Sequence, residues 1–248
     1  MRASITGDGA FDRIIRTLTK PALRGWLVLA KTAWKDIPQP PRSGRVGQSG
    51  PRTLGLLAIG TGHLVGLGAV DHDVALAGHL ARSLAALLDR GIDLAVEVDV
   101  DLSPGSAAAL LTAERLRGVE AVILMLGMRE ALRQSSLSRW RSDLTRLFAQ
   151  IASADDGRVV ILAVDVASVP SMRMLRTLPR SMADRYAAHL NAVLHEVVAG
   201  CPNARSIPFD AAASAAIRGA RSDAVRGWAR GLATPLAAEL RRIGSAES

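Results

Sequence analysis

Cysteine, lysine and aromatic residues are all scarce in this 248-residue chain, and each scarcity excludes something. A single cysteine, Cys201, rules out an internal disulfide framework and any zinc site built on thiolates. Aromatic side chains make up only 3% of the sequence and do not interleave with the arginines. No zinc-finger, RNA-recognition or basic-zipper pattern is present either, so nucleic acid is not an expected partner. The three lysines are Lys20, Lys31 and Lys35; the other basic residues are arginine, and 31 basic against 23 acidic residues give a formal charge of +8. An arginine excess spread over a whole chain is read as background composition rather than as a binding patch. No apolar run reaches the roughly 20 residues that span a bilayer. The longest run near the N-terminus, residues 26–30, is short for a secretory signal, and no small-residue cleavage motif follows it.

What is abundant is apolar surface. At 49% hydrophobic residues the chain buries a large core, and disorder is excluded. A cytoplasmic globular protein without a cofactor is expected. Residues 11–34 carry Phe11, Ile14, Ile15, Leu18, Leu23, Trp26, Leu27, Ala30 and Trp34 at helical spacings, with Arg13, Arg16, Lys20, Arg24, Lys31 and Lys35 among them. Such a basic amphipathic stretch either lies on an anionic membrane surface or packs on the main domain with a break near Pro21. Residues 36–52 turn to proline, glycine, serine and arginine, the composition of an extended linker.

From residue 53 the pattern alternates. Short apolar runs at 53–59, 121–126, 159–166 and 205–208 read as buried strands, while 92–102 alternates apolar with acidic residues like a half-exposed edge strand. Helical periodicity fills 73–90, with Gly91 as a stop, then 106–117, 137–153, 180–199 and 221–243. This alternation predicts an α/β fold, a three-layer α/β/α sandwich around a central parallel sheet of flavodoxin-like kind. The expected division is a helical extension over 1–35, a linker over 36–52, one domain over 53–243 and a tail over 244–248. Sites in such sheets form at the carboxyl ends of strands, which points to Gly60 to Gly62, Gly105, and Gly127 to Glu130.

Those three strand ends, in that order, resemble the conserved blocks of the SGNH (GDSL-type) hydrolase family. Gly60-Thr61-Gly62-His63-Leu64-Val65-Gly66-Leu67-Gly68 is similar to a strand end of the form G-D-S-x-x-x-G-x-G. Gly105 matches the turn glycine of the second block, and Gly127-Met128-Arg129-Glu130 stands where the family has G-x-N-D. Leu178-Pro179, Tyr186 and Leu190 to Leu194 are similar to the helix after strand four, and Gly227-Trp228-Ala229 with Leu232-Ala233 to the last helix. The resemblance spans about residues 54–240 and implies an esterase-like site in which a serine attacks an ester carbonyl. A histidine three residues after an aspartate would activate that serine, and the serine N–H, the glycine and the asparagine would hold the oxyanion.

The family's polar set is largely replaced here. Gly62 stands at the nucleophile, Arg129 at the asparagine and Glu130 at the aspartate beside it. No D-x-x-H occurs; the nearest echo is Asp223-Ala224-Val225-Arg226, with Arg226 at the histidine position. Removing the nucleophile or base of such a triad costs on the order of 10⁴ to 10⁶ in rate, so family-type hydrolysis is not expected. A divergent ester hydrolase or acyltransferase would have to use Thr61 or His63. The expected alternative is a binding or accessory module in which Gly62, Gly105, Arg129 and Arg226 gather around an acidic or acyl ligand, or which docks a protein partner. Against that stands pairing of the two arginines with Glu130 and Asp223. Asp71-His72-Asp73 reads as a helix cap, with Asp71 or Asp73 capping, rather than as a metal site. Asp155-Asp156-Gly157 reads as a turn, Ser103 and Ser106 as turn or capping residues, and His189 and His195 as helix residues without a role.

Overall fold

The computed structural model describes residues 36–154, 158–167, 180–209 and 221–246. The amphipathic segment 11–34, the turn at 155–157 and the Leu178-Pro179 pair lie outside them. Six strands form one sheet in the order β1-β3-β2-β4-β5-β6. β2 (Leu54–Gly60), β3 (Ile92–Val98), β4 (Ala121–Met125), β5 (Val160–Val164) and β6 (Ala204–Ile207) are parallel, and β1 (Ser43–Gln48) runs antiparallel along the edge of β3. Helices cover both faces. α1 (Leu76–Leu88) and α7 (Arg221–Ala246) pack on one. On the other lie α2 (Pro104–Leu110), α3 (Ala113–Leu116), α4 (Met128–Arg133), α5 (Leu137–Ala152) and α6 (Arg180–Ala199).

The continuous apolar runs follow from this layering, because a central strand must be apolar on both faces. In β4, Val122 and Leu124 enter the α5–α6 core, while Ala121, Ile123 and Met125 enter the α1–α7 core. β2 divides in the same way, with Leu57 and Ile59 on one face and Leu54, Leu56 and Ala58 on the other.

Five local expectations are corrected. Segment 36–52 is not linker throughout, since it contains β1. Val46, 1% exposed, anchors that strand, and its polar neighbours meet the acids of β3. Arg45 pairs with Asp93 at 2.7 Å, and Ser43 Oγ donates to Glu97 at 2.8 Å. The acidic alternation of 92–102 therefore marks a strand covered by a basic neighbour, not a free edge. The helix expected at 73–90 starts at Leu76 with Ala75 as its N-cap; Asp71 instead accepts from the Val74 N–H at 3.0 Å, closing a turn ahead of it. Asp89, at φ 51°, ends that helix before Gly91 is reached. The helix expected at 106–117 is two short ones, separated where Thr112 caps α3. α7 runs on to Ala246 and takes in part of the expected tail. Among the described residues no helix is long and apolar enough to cross a membrane.

Candidate functional site

Two neighbouring regions form at the carboxyl ends of β2, β3 and β4, and they differ in kind. The first is closed. The Thr61 N–H donates to the Met125 carbonyl at 2.8 Å, holding the end of β2 against β4. Gly62 then takes φ +64° to enter a single 3-10 turn, Gly62–Val65. A Cβ at Gly62 would face Met128 Cβ, Cγ and Cε at 3.5 to 3.7 Å. Met128, only 6% exposed, begins α4 immediately after Gly127, whose φ of +104° admits no larger residue because its missing side chain would run into Val166. The turn after β4 thus sets the Met128 side chain against Gly62.

Thr61 and His63 flank Gly62 and are both buried. Thr61 Oγ1 is enclosed and has no hydrogen-bond partner. The His63 ring stacks edge-on against Trp228 at 4.2 Å and tilts against Phe209 at 5.3 Å. Burial pushes its pKa from 6.5 down to about 4, so the ring is neutral at pH 7 and a weak base.

The second region is open. β3 leads to Ser103, whose hydroxyl accepts from the Ser106 N–H while the Ser106 hydroxyl accepts from the Ser103 N–H, a reciprocal cap that starts α2. Gly105 follows, and its missing side chain would face the Asp143 carboxylate of α5 at 3.5 Å. Between α2, α4 and α5 lies a cavity of about 410 Å³. Arg129 and Glu130 form its inner wall, joined at 2.7 Å through Nη1 and Oε1. Burial raises the pKa of Glu130, opposed by its bond to Arg129. Arg129 Nε and Glu130 Oε2 are both buried without partners. The outer wall is a stripe on α5, where Asp143 lies 3.7 Å from Arg139 and 3.5 Å from Arg146. Trp140, anchored by an Nε1–H bond to the Leu190 carbonyl at 3.1 Å, closes one side.

Of the four expected binding residues, the cavity brings together Gly105 and Arg129. Gly62 sits behind Met128. Arg226 pairs with Asp223 in the first turns of α7, on the other face of the sheet. There burial, with the guanidiniums of Arg82, Arg226 and Arg230, lowers the pKa of His79. Glu130 was expected only as the partner of Arg129 at the end of β4; Arg139, Asp143 and Arg146 were not in the expected set. The signal for the last three is their i, i+4, i+7 spacing, which puts them on one helix face.

All five histidines of the chain are described. His72 Nε2 donates to the Pro41 carbonyl at 2.9 Å and ties the chain before β1 to the loop before α1. His189 lies on α6 near the Tyr186 ring. His195 bonds Asp165 Oδ1 at 2.7 Å, and Ser206 Oγ donates to the same oxygen at 3.3 Å. There the carboxylate separates hydroxyl from imidazole, so this trio is no nucleophile–base pair. Among the described residues no group of three or more side chains is arranged to hold a metal ion.

This architecture is similar to solved esterase and lipase structures. The psychrotrophic esterase EstA from Pseudoalteromonas sp., in a form inhibited by monoethylphosphonate, is 13% identical with a TM-score of 0.53, over 75% of this chain and 97% of that one. TesA is 16% identical with a TM-score of 0.56, over 77% of this chain and 99% of its own. The lipase/acylhydrolase from Enterococcus faecalis is 16% identical with a TM-score of 0.54, over 75% and 95%. No protein-family model matches the sequence, and no curated protein does. The chain has an SGNH-hydrolase-like fold.

Proposed function

We propose that this chain is a binding or accessory protein on an SGNH-hydrolase-like fold, and that it does not hydrolyse esters by the mechanism the resemblance implies. The observation that carries the proposal is at Gly62: the residue has no side chain to act as a nucleophile, and Met128 packs within 3.5 to 3.7 Å of where its Cβ would stand. The open cavity beside it holds three guanidiniums against two carboxylates, a surplus of one positive charge suited to a small acidic molecule held without cleavage. The purified chain should give no turnover of p-nitrophenyl acetate or butyrate above a heat-treated control, and no labelling by a serine-reactive phosphonate. Butyrate and acetyl phosphate should raise its melting temperature, less so in Arg129→Ala; equal shifts in both proteins would remove the acidic ligand.

One observation favours a second reading, that of a divergent ester hydrolase or acyltransferase: an unpartnered Thr61 hydroxyl and a neutral His63 imidazole lie buried on either side of Gly62 in the chain. Ester turnover that disappears in Thr61→Ala or His63→Ala would establish it in place of the binding reading.

A further inference from the structure

On the face of the sheet away from the cavity, α1 and α7 share one apolar core, from Leu80 and Leu84 to Ala229 and Leu236. α1 follows β2 and α7 follows β6, so both begin at the carboxyl end of the sheet and run the same way; at their far ends Arg241 donates to the Leu87 carbonyl. At their near ends the seam between them carries cations. His79 and Arg82 stand three residues apart on α1, and Arg226 and Arg230 four apart on α7, spacings that keep each pair on one helix face. Arg82 is fixed in place, since its Nη2 donates to the Asp73 carbonyl at 2.9 Å and to His79 Nδ1 at 3.0 Å. A guanidinium has no acceptor, so Nδ1 must accept, which makes the imidazole neutral with its proton on Nε2. Burial and then the charges of Arg82, Arg226 and Arg230 lower the pKa of that ring, so all three guanidiniums lie close enough to act on it. Arg226 pairs with Asp223, whereas Arg230 forms no ion pair among the described residues.

We propose that this seam binds a phosphate group between the exposed guanidiniums of Arg82, Arg226 and Arg230. Like charges gathered on one seam repel, and here one carboxylate, Asp223, answers three guanidiniums. Two positive charges are left over, which a phosphate dianion matches and a single carboxylate would meet only by half. The planar fork of a guanidinium also fits two oxygens of a phosphate at once. The neutral His79 ring adds an N–H donor instead of a fourth charge, and both helices turn their positive ends to this side of the sheet. The site is separate from the cavity and does not depend on how the cavity is read.

The experiment is an NMR titration of the full chain with inorganic phosphate at about pH 8, where phosphate carries two charges, against sodium chloride at matched ionic strength. The His79 ring signal, assigned by its loss in His79→Gln, should move saturably with phosphate and stay in place with chloride. In Arg230→Gln the affinity should fall about tenfold, the value of one charge-assisted hydrogen bond. That side chain has no ion pair to lose, so without phosphate the variant should melt at the native temperature. Arg45→Gln, the same change of charge on the edge strand, should bind phosphate as the native chain does. Equal movement of the His79 signal in chloride and phosphate would reduce the seam to ion screening and overturn the proposal. An unchanged affinity in folded Arg230→Gln would overturn it too. Flotation on phosphatidylcholine vesicles containing phosphatidic acid should be equal for the native chain and Arg230→Gln, as a soluble phosphate requires. A drop in the variant would keep the phosphate site and make its occupant a lipid headgroup.

Discussion

A serine introduced at position 62 would have to adopt φ +64°, where side chains other than glycine's are strained by about 1 kcal/mol, with its Cβ in van der Waals contact with Met128. Gly62→Ser is therefore expected to lower the melting temperature by a few degrees and to leave p-nitrophenyl butyrate uncleaved. Recovery of esterase activity from this single change would show that Met128 yields more readily than its burial implies. His63 gives a second prediction at this scale. Its folded pKa of about 4 lies below the ordinary value of 6.5, so between those pH values the unfolded chain binds a proton that the folded one does not. Stability is complete above pH 6.5, falls as pH drops through that window, and levels off below 4, a loss of roughly 3 kcal/mol. Urea midpoints measured from pH 7 to 4 should follow that slope, and His63→Phe, which keeps a ring against Trp228, should flatten it. The strand-end positions Gly62, Gly105 and Arg129 were legible in the sequence because each follows an apolar run closed by a glycine. The partners were not, since a gap between residues 62 and 128, or 105 and 143, closes only in three dimensions.

At the scale of elements, the parallel strands announced themselves through apolar runs that only double-sided burial explains. β1 did not. Ser43-Gly44-Arg45-Val46-Gly47-Gln48 offers one buried apolar side chain, and its remaining hold on the sheet is the ladder to β3 and pairs such as Arg45–Asp93. The polar pairs are solvent-exposed, with Arg45 69% open, so each is worth less than about 1 kcal/mol. Val46 carries the docking: Val46→Ala should cost about 2 kcal/mol, shifting the urea midpoint by about 1 M. Arg45→Ala should barely move it. The reverse order would mean that charge pairing, not burial, holds the edge strand. α5 likewise reads in sequence as an ordinary amphipathic helix. Its polar face became a wall of the site only because α2 and α4 fold beside it and leave a cavity between the three helices.

Over the whole molecule the charge is distributed less evenly than the arginine count suggests. Residues 1–35 contain Arg2, Arg13, Arg16, Lys20, Arg24, Lys31 and Lys35 against Asp8 and Asp12, seven basic and two acidic, hence five of the eight net charges. The described part, by contrast, ties many arginines into ion pairs, from Arg42–Asp99 beside the edge strand to Arg205–Glu239 between β6 and α7. Attraction to an anionic surface should therefore come from the N-terminal segment rather than from the domain. We propose that the segment brings the protein to anionic lipid. Each basic residue near such a surface contributes about 1 kcal/mol, so replacing Arg13, Arg16, Lys20 and Arg24 by glutamine should weaken binding by about two to three orders of magnitude. Flotation with vesicles containing phosphatidylserine, at 0.1 M salt, reads this directly. The native chain should float and the fourfold variant should remain at the bottom, while both give the same circular dichroism spectrum. Equal flotation would move the membrane contact to the domain surface, and no flotation of the native chain would leave the segment as a part that packs on the protein itself.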